Sequence, residues 1–372
     1  MGENMPGKEK NIITLMQYIF IINGTQVGTG VLSLPRIVAE KAGTDGWISI
    51  IIGWLCSMLA SICFIQVVQK IPHDTSQYFF QRLFGKHIGR IIIILYTLYF
   101  LLYYWIVVVN SILFIKGWFL PSTPDYLIFS LLCIQTYMVV QKKLQGVGRY
   151  CESMFYMTMW IPIFFFLPLT NGSWLHFLPI FKDGMLPILK AVPTTSFSFL
   201  GFEMCIFLYP YLKQKNYALQ GVLIANTITM IFYLFTTIIC FYFFSPDGIS
   251  QFTQPVLSIL QLVEFRFLER FDLILLSFYL LVVSTSWVSF VYGALLLINP
   301  KQKSSLLSYQ AIAILLTGIL LVAIFHLSWT QSEQYQRILS YIGIGMVYCF
   351  SLFLWLYTNF TQIYNRRKAC SK

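Results

Sequence analysis

The sequence predicts an all-α integral membrane protein of ten transmembrane helices, and three observations predict it. Hydrophobic residues make up 58% of the 372-residue chain and charged ones only 10%, with a mean hydropathy of +0.72. A soluble domain carries about 25% charged residues. Ten apolar runs approach the roughly 20 residues that a helix needs to cross the hydrocarbon core. The basic residues then alternate from loop to loop. With ten spans, 17 of the 25 Lys and Arg residues fall on the side of both termini, and nine of the 14 acids fall opposite. That bias puts both termini in the cytoplasm, and one missed span would scramble it. The net charge of +11 sits in these short loops, so topology accounts for it without nucleic acid.

The runs, in order, are Ile12–Val38, Trp47–Val68, Ile91–Ile115, Pro124–Val140, Tyr150–Leu169, Ile188–Tyr211, Val222–Phe244, Leu273–Ile298, Leu306–Phe325 and Ile338–Tyr357. The fourth is short, and Pro162 interrupts the fifth. The first run outlasts a 7–15-residue signal-peptide core, and no A-x-A-like site follows it, so it reads as a span that stays.

Span one holds the most unusual stretch, Asn23–Pro35, with Gly24, Gly28 and Gly30 interleaved with Thr25 and Thr29. Glycine costs about 1 kcal/mol against alanine inside a helix. Unwound backbone is tolerated at membrane depth only where protein or a watery cavity surrounds it. The stretch therefore reads as a broken helix facing a cavity.

Span six repeats the signal between Thr194 and Glu203. Pro193 removes a backbone donor, and Gly201 permits unwinding near Ser198–Gly201. Half-helix starts at such breaks hold carboxylates through free N–H groups. Close packing by small residues is the rival reading. Each break opens its own set of five spans. That placement predicts a 5+5 inverted repeat within one polytopic membrane domain (1–372), with repeats at about 12–169 and 188–357.

Glu203 is the one acid placed well inside the bilayer. A lone intramembrane carboxylate is costly, so it reads as a relay or as a structural partner for unwound backbone. Span eight carries Ser284, Thr285, Ser286 and Ser289. These hydroxyls complete a pocket, bind a cation or join helices. Tyr103, Tyr104 and Trp105 are pocket candidates against a core or belt reading.

Two non-spanning stretches, Ser76–Phe84 and Pro255–Leu268, are amphipathic and read as lids or packed connectors. The eight cysteines are scattered without a C-x-x-C pair, and the four histidines lie in loops or at span ends. No Walker, G-x-S-x-G or H-E-x-x-H motif occurs. The residues thus point to no enzyme, metal or cofactor.

GTQVGTGVLSLPR (24–36), with the AEKAGTDGWI loop after it, resembles the first-helix signature of the bacterial spore germination permeases. These are the B subunits of GerA-type germinant receptors. SFSFLGFEMCIFLYPYLKQKNY (196–217) resembles their sixth-helix signature, and FLERFD (267–272) their loop before helix eight. The resemblance covers nearly the whole chain. It implies a LeuT-like scaffold akin to the amino acid–polyamine–organocation transporters, in the inner membrane of a dormant spore. It also implies a small nutrient germinant, an A-type membrane subunit and a C-type lipoprotein as partners. Carried onto this chain, it places the ligand near Thr25, Gly28, Thr29 and Gly30 in span one. In span six it points to Ser198, Leu200 and Gly201, with Glu203 nearby. Ser284 and Thr285 in span eight match in place more than in letters. The leading reading is a germinant sensor. A proton- or sodium-coupled amino acid symporter and an ion-conducting receptor subunit stand beside it.

Overall fold

Helix forms in each of the ten apolar runs, because in hydrocarbon every backbone N–H and C=O must find its partner within the chain. The computed structural model describes residues 12–70, 76–167, 172–262, 270–300, 304–325 and 328–370. Span one is two helices, α1 (Leu15–Gln26) and α2 (Leu34–Ala42). A reciprocal capping box starts α1, with Thr14 and Gln17 each accepting from the other's backbone N–H. Pro35 sits in the first turn of α2, where its missing N–H costs nothing.

Span two is α3 (Gly46–Lys70), followed by the short α4 (Ser76–Phe84). Span three is α5 (Lys86–Trp118). Spans four and five are α6 (Asp125–Val140) and α7 (Lys143–Thr158), the latter continued by the turn α8 (Ile161–Phe164). Span six is again two helices, α9 (Met185–Ser198) and α10 (Met204–Leu208). Then follow α11 (Ala218–Phe243), the short α12 (Pro246–Ile249) and α13 (Pro255–Gln261), α14 (Phe271–Ile298) and α15 (Ser304–Ile324). The last run holds α16 (Trp329–Gly343) and α17 (Phe350–Cys370), joined by one π-helical turn, Ile344–Cys349.

Among the described residues six helices are long and apolar enough to cross a membrane, and one further pair qualifies only as a unit bent by 117° between α6 and α7. In the predicted spans one and six the breaks leave pieces too short to cross alone. Their pieces run 12, 9, 14 and 5 residues. The most extensive packing joins α5 to α14, the third span of each half. Around that pair lies one continuous core.

Both amphipathic stretches are packed connectors where they are described. Phe79 and Phe80 of α4 are fully buried. The Phe80 ring lies 5.9 Å from Tyr96 and 6.3 Å from both Phe207 and Phe350. Val256, Ile259 and Leu260 of α13 are buried against the bundle. The charged end of that stretch (Glu264, Arg266, Glu269) and most of the FLERFD motif lie outside the described residues.

The start of the chain is tied to the end of span six. The Ile13 N–H donates to Tyr211 O at 2.9 Å, and Lys213 N–H donates to Ile13 O at 3.1 Å. On the far side Arg36 of α2 meets Glu333 of α16 at 3.1 Å. These two ties hold opposite ends of span one to other helices.

Candidate ligand-binding site

The two breaks meet face to face. Gly201 takes φ +120, a conformation that side chains rarely adopt. Its vacant Cβ position lies 2.9 Å from Thr25 C and 3.0 Å from Gln26 N. Backbone touches backbone, and only glycine allows this approach. Unwinding here collects free carbonyls and N–H groups from both spans at one place inside the bundle.

Those groups are met almost one by one. Buried Glu203 accepts from Gly201 N–H at 2.7 Å with one carboxylate oxygen and from the Tyr99 hydroxyl at 2.9 Å with the other. The carboxylate thus supplies the acceptor that helix would have given. In the first break the Ser286 hydroxyl lies 2.6 Å from Gly24 O and 2.8 Å from Val27 O. The Thr285 hydroxyl lies 3.3 Å from Gly24 O, and the Tyr279 hydroxyl donates to Gly28 O at 2.8 Å. Tyr233 of α11 spans both breaks, its hydroxyl 2.8 Å from Gln26 O and 3.0 Å from Ser198 O.

Of the ten residues proposed from sequence, the structure therefore gathers Thr25, Gly28, Leu200, Gly201, Glu203 and Thr285 around the paired breaks. Thr29 stands beside them. Its hydroxyl accepts from Asn110 of α5 at 3.3 Å, and Asn110 in turn accepts from Ser332 of α16 at 2.5 Å. Gly30 borders open space, with nothing within 4 Å of its Cβ position. Ser198 contributes its carbonyl, while its hydroxyl stays with Thr194 O in the same helix at 3.4 Å. Ser284 is not brought to the breaks. Its hydroxyl pairs with Tyr150 of α7 and with Leu281 O at 2.6 Å. Neighbouring residues of a helix point about 100° apart, and it is Ser286 that faces the first break.

Sequence reasoning missed the α11 wall. Asn226, Thr229 and Tyr233 stand at helical spacing on one face of α11, and all three are buried. That polar stripe was the available signal. Gln26 was missed too, because one glutamine among glycines and threonines carries no pattern of its own. Tyr103 and Tyr104 are buried in the core. Among the described residues no cluster of His, Cys, Asp and Glu is arranged to hold a metal. A cavity of about 470 Å³ lies elsewhere, between α5, α15 and α16, lined by Leu98, Tyr104, Trp105, Thr317, Leu321 and Ile338 among others, so two of the three aromatic pocket candidates of span three line a pocket, though not the one at the breaks. It shares no residue with the breaks.

A model of the family described as spore germination proteins, the spore permeases, matches residues 12–336. The chain belongs to this family. It is 29% identical to spore germination protein YndE of Bacillus subtilis (strain 168) over 305 residues, 80% of this chain and 83% of that protein. It is 27% identical to spore germination protein A2 of the same organism over 367 residues, 97% and 98% of the two chains. Spore germination protein GerQB of Bacillus cereus matches at 28% over 262 residues, 69% of this chain and 71% of that one. Among solved structures the fold is similar to MhsT in complex with L-phenylalanine, with a TM-score of 0.65 at 15% identity, covering 92% of this chain and 88% of that chain. It is also similar to a Na+-coupled sialic acid symporter in its substrate-bound outward-open state, with a TM-score of 0.63 at 12% identity, covering 90% and 77%. These likenesses establish the LeuT-like transporter fold. The protein is a multi-pass membrane protein with a germination-related role, and it is not an enzyme.

The two bonds of Glu203 separate its shape from its charge. The glutamine side chain of a Glu203→Gln variant keeps an acceptor for Gly201 N–H, whereas Glu203→Leu leaves that buried donor unpaired at a cost of about 1–3 kcal/mol. Glu203→Gln is expected to accumulate normally with a weakened nutrient response, and Glu203→Leu to lose the response and unfold at lower temperature. Membrane abundance, melting and germination rate measure this. Equal behaviour of the Leu variant and the unsubstituted protein would remove the carboxylate from the site.

Proposed function

We propose that this protein is the nutrient-sensing subunit of a spore germination receptor and binds a small germinant, foremost an amino acid, between the breaks of spans one and six. The observation that carries this reading is the direct contact of the breaks at Gly201, Thr25 and Gln26. It gathers the backbone of both breaks at one place, where carbonyl oxygens that already accept one hydroxyl keep a second lone pair for an ammonium, and the helix start that follows the first break suits a carboxylate. MhsT, whose fold is similar, is solved with L-phenylalanine, which supports an amino acid as the first ligand class to try. Ligand acts here by favouring one of two arrangements of the bundle, which requires different affinity for the two. The output passes to an A-type membrane subunit and a C-type lipoprotein in the spore inner membrane.

The test is a germination screen of spores lacking this gene against amino acids, sugars and nucleosides, with the intact strain alongside. Loss of response to one nutrient class, restored by the gene, is expected. An unchanged response to every class would refute the sensing role. Ten spans with cytoplasmic termini complete the reading, supported by the Lys and Arg alternation. A reporter fused after Lys372 is expected to read cytoplasmic, and an external reading would overturn the topology.

One observation favours a second reading, coupled transport. The Gly24 and Val27 carbonyls and the Thr285 and Ser286 hydroxyls converge within hydrogen-bonding distance. Such a ring of neutral oxygens suits a monovalent cation, and one solved structure of similar fold is a Na+-coupled symporter. Sodium-dependent uptake of labelled amino acids into vesicles holding this chain alone separates transport from sensing.

A further inference from the structure

Gln26 closes α1 and is buried, with 4% of its surface exposed. Its side chain fills both of its donor positions and one of the two acceptor positions on its oxygen. The amide nitrogen donates to Phe199 O at 2.8 Å and to the Asn226 side-chain oxygen at 2.7 Å. The amide oxygen lies 2.6 Å from the Thr229 hydroxyl. Phe199 O belongs to the second break, where unwinding has left carbonyls without helical partners. Asn226 and Thr229 belong to α11. Asn226 reaches on to Ser61 of α3 at 2.9 Å, and Asn23 donates to Thr229 at 2.9 Å. One side chain therefore joins the end of α1, the second break and the α11 wall.

The chemistry is specific to a neutral amide. Two acceptors face the nitrogen and one donor faces the oxygen. Leucine fills the volume but pairs with none of the three. A fully satisfied buried polar network fixes one arrangement, and a partly satisfied one does not. We propose that Gln26 is a positioning residue that holds the second break in register with the first, so that both present their backbone groups to a common ligand. The proposal rests on the ligand-site reading above for its consequence. The clamp itself is measured without any ligand, so the two fail separately.

The experiment is amide hydrogen exchange on the full chain in lipid nanodiscs, free of nutrient, with Gln26→Leu and Thr229→Val beside the unsubstituted protein. Exchange reports local opening. In Gln26→Leu, peptides covering residues 199–204 are expected to exchange at least about tenfold faster, while α5 and α14 keep their protection. In Thr229→Val the amide keeps both donor bonds and loses the hydroxyl that orients it, so a smaller, severalfold acceleration confined to the same peptides is expected. Unchanged exchange at 199–204 in Gln26→Leu would overturn the proposal. So would an acceleration spread evenly over the bundle, which marks a packing role. Should Gln26→Leu fail to accumulate, Thr229→Val decides, and unsubstituted-like exchange at 199–204 in it overturns the proposal equally.

Discussion

Gly201→Ala is expected to abolish the nutrient response and to lower the unfolding midpoint of the purified protein. Two independent costs fall on one methyl group. The backbone at φ +120 is a conformation that costs a residue bearing Cβ about 1–3 kcal/mol. The new carbon would also stand 2.9 Å from Thr25 C and 3.0 Å from Gln26 N. Those are backbone atoms of the opposing break, and they cannot swing aside as a flexible side chain would. The breaks must separate, and separation also strains the Gln26 side-chain bond to Phe199 O that joins them. Germination assays and a melting curve at matched membrane abundance measure the effect. A Gly201→Ala protein with ordinary response and melting would mean that the breaks do not touch as described.

Gly28→Leu is the second large effect, and it works by the opposite logic. The Gly28 backbone is extended, at φ −110 and ψ −159, which any residue adopts. Its Cβ position meets only the Ser286 hydroxyl oxygen, at 3.7 Å. The Cβ of a leucine therefore meets neither backbone strain nor a clash, and the rest of the side chain projects beside the first break. Folding and insertion are expected to survive while the nutrient response is lost. The choice of control matters. Gly53 has no part in the proposed site, yet its Cβ position lies 2.6 Å from the Thr195 hydroxyl oxygen and 3.1 Å from Ser196 N. That contact is where α3 packs on α9, so Gly53→Leu would wedge two helices apart. Gly117, exposed at the end of α5 with nothing within 4 Å, is the sound control.

Much of the fold was legible because membrane burial writes itself into sequence as long apolar runs. Helix breaks write themselves as glycine where lipid would favour leucine. Asn23–Pro35 and Thr194–Glu203 stood out for that reason, and both spans are broken there. Helix phase was harder to read. Ser284, Thr285 and Ser286 are adjacent, and only the rotation of α14 decides that Ser286 meets the break while Ser284 turns to Tyr150. Long-range pairing was out of reach. Nothing local ties Gln26 to Phe199, 173 positions away, or to Asn226, 200 away. Close helix contact was equally hidden at Gly53, since a glycine in an apolar span looks the same whether it faces lipid or a neighbouring helix.

On the reading proposed above, ligand binds between the two breaks. The most direct measurement is saturation binding of a radiolabelled nutrient, chosen by the germination screen, to purified protein carrying no substitution, Gly28→Leu or Gly117→Leu. Saturable binding by the unsubstituted protein and by Gly117→Leu, with none by Gly28→Leu at equal folded protein, is the result expected. Binding of equal affinity by Gly28→Leu would contradict the account and place the ligand away from the first break.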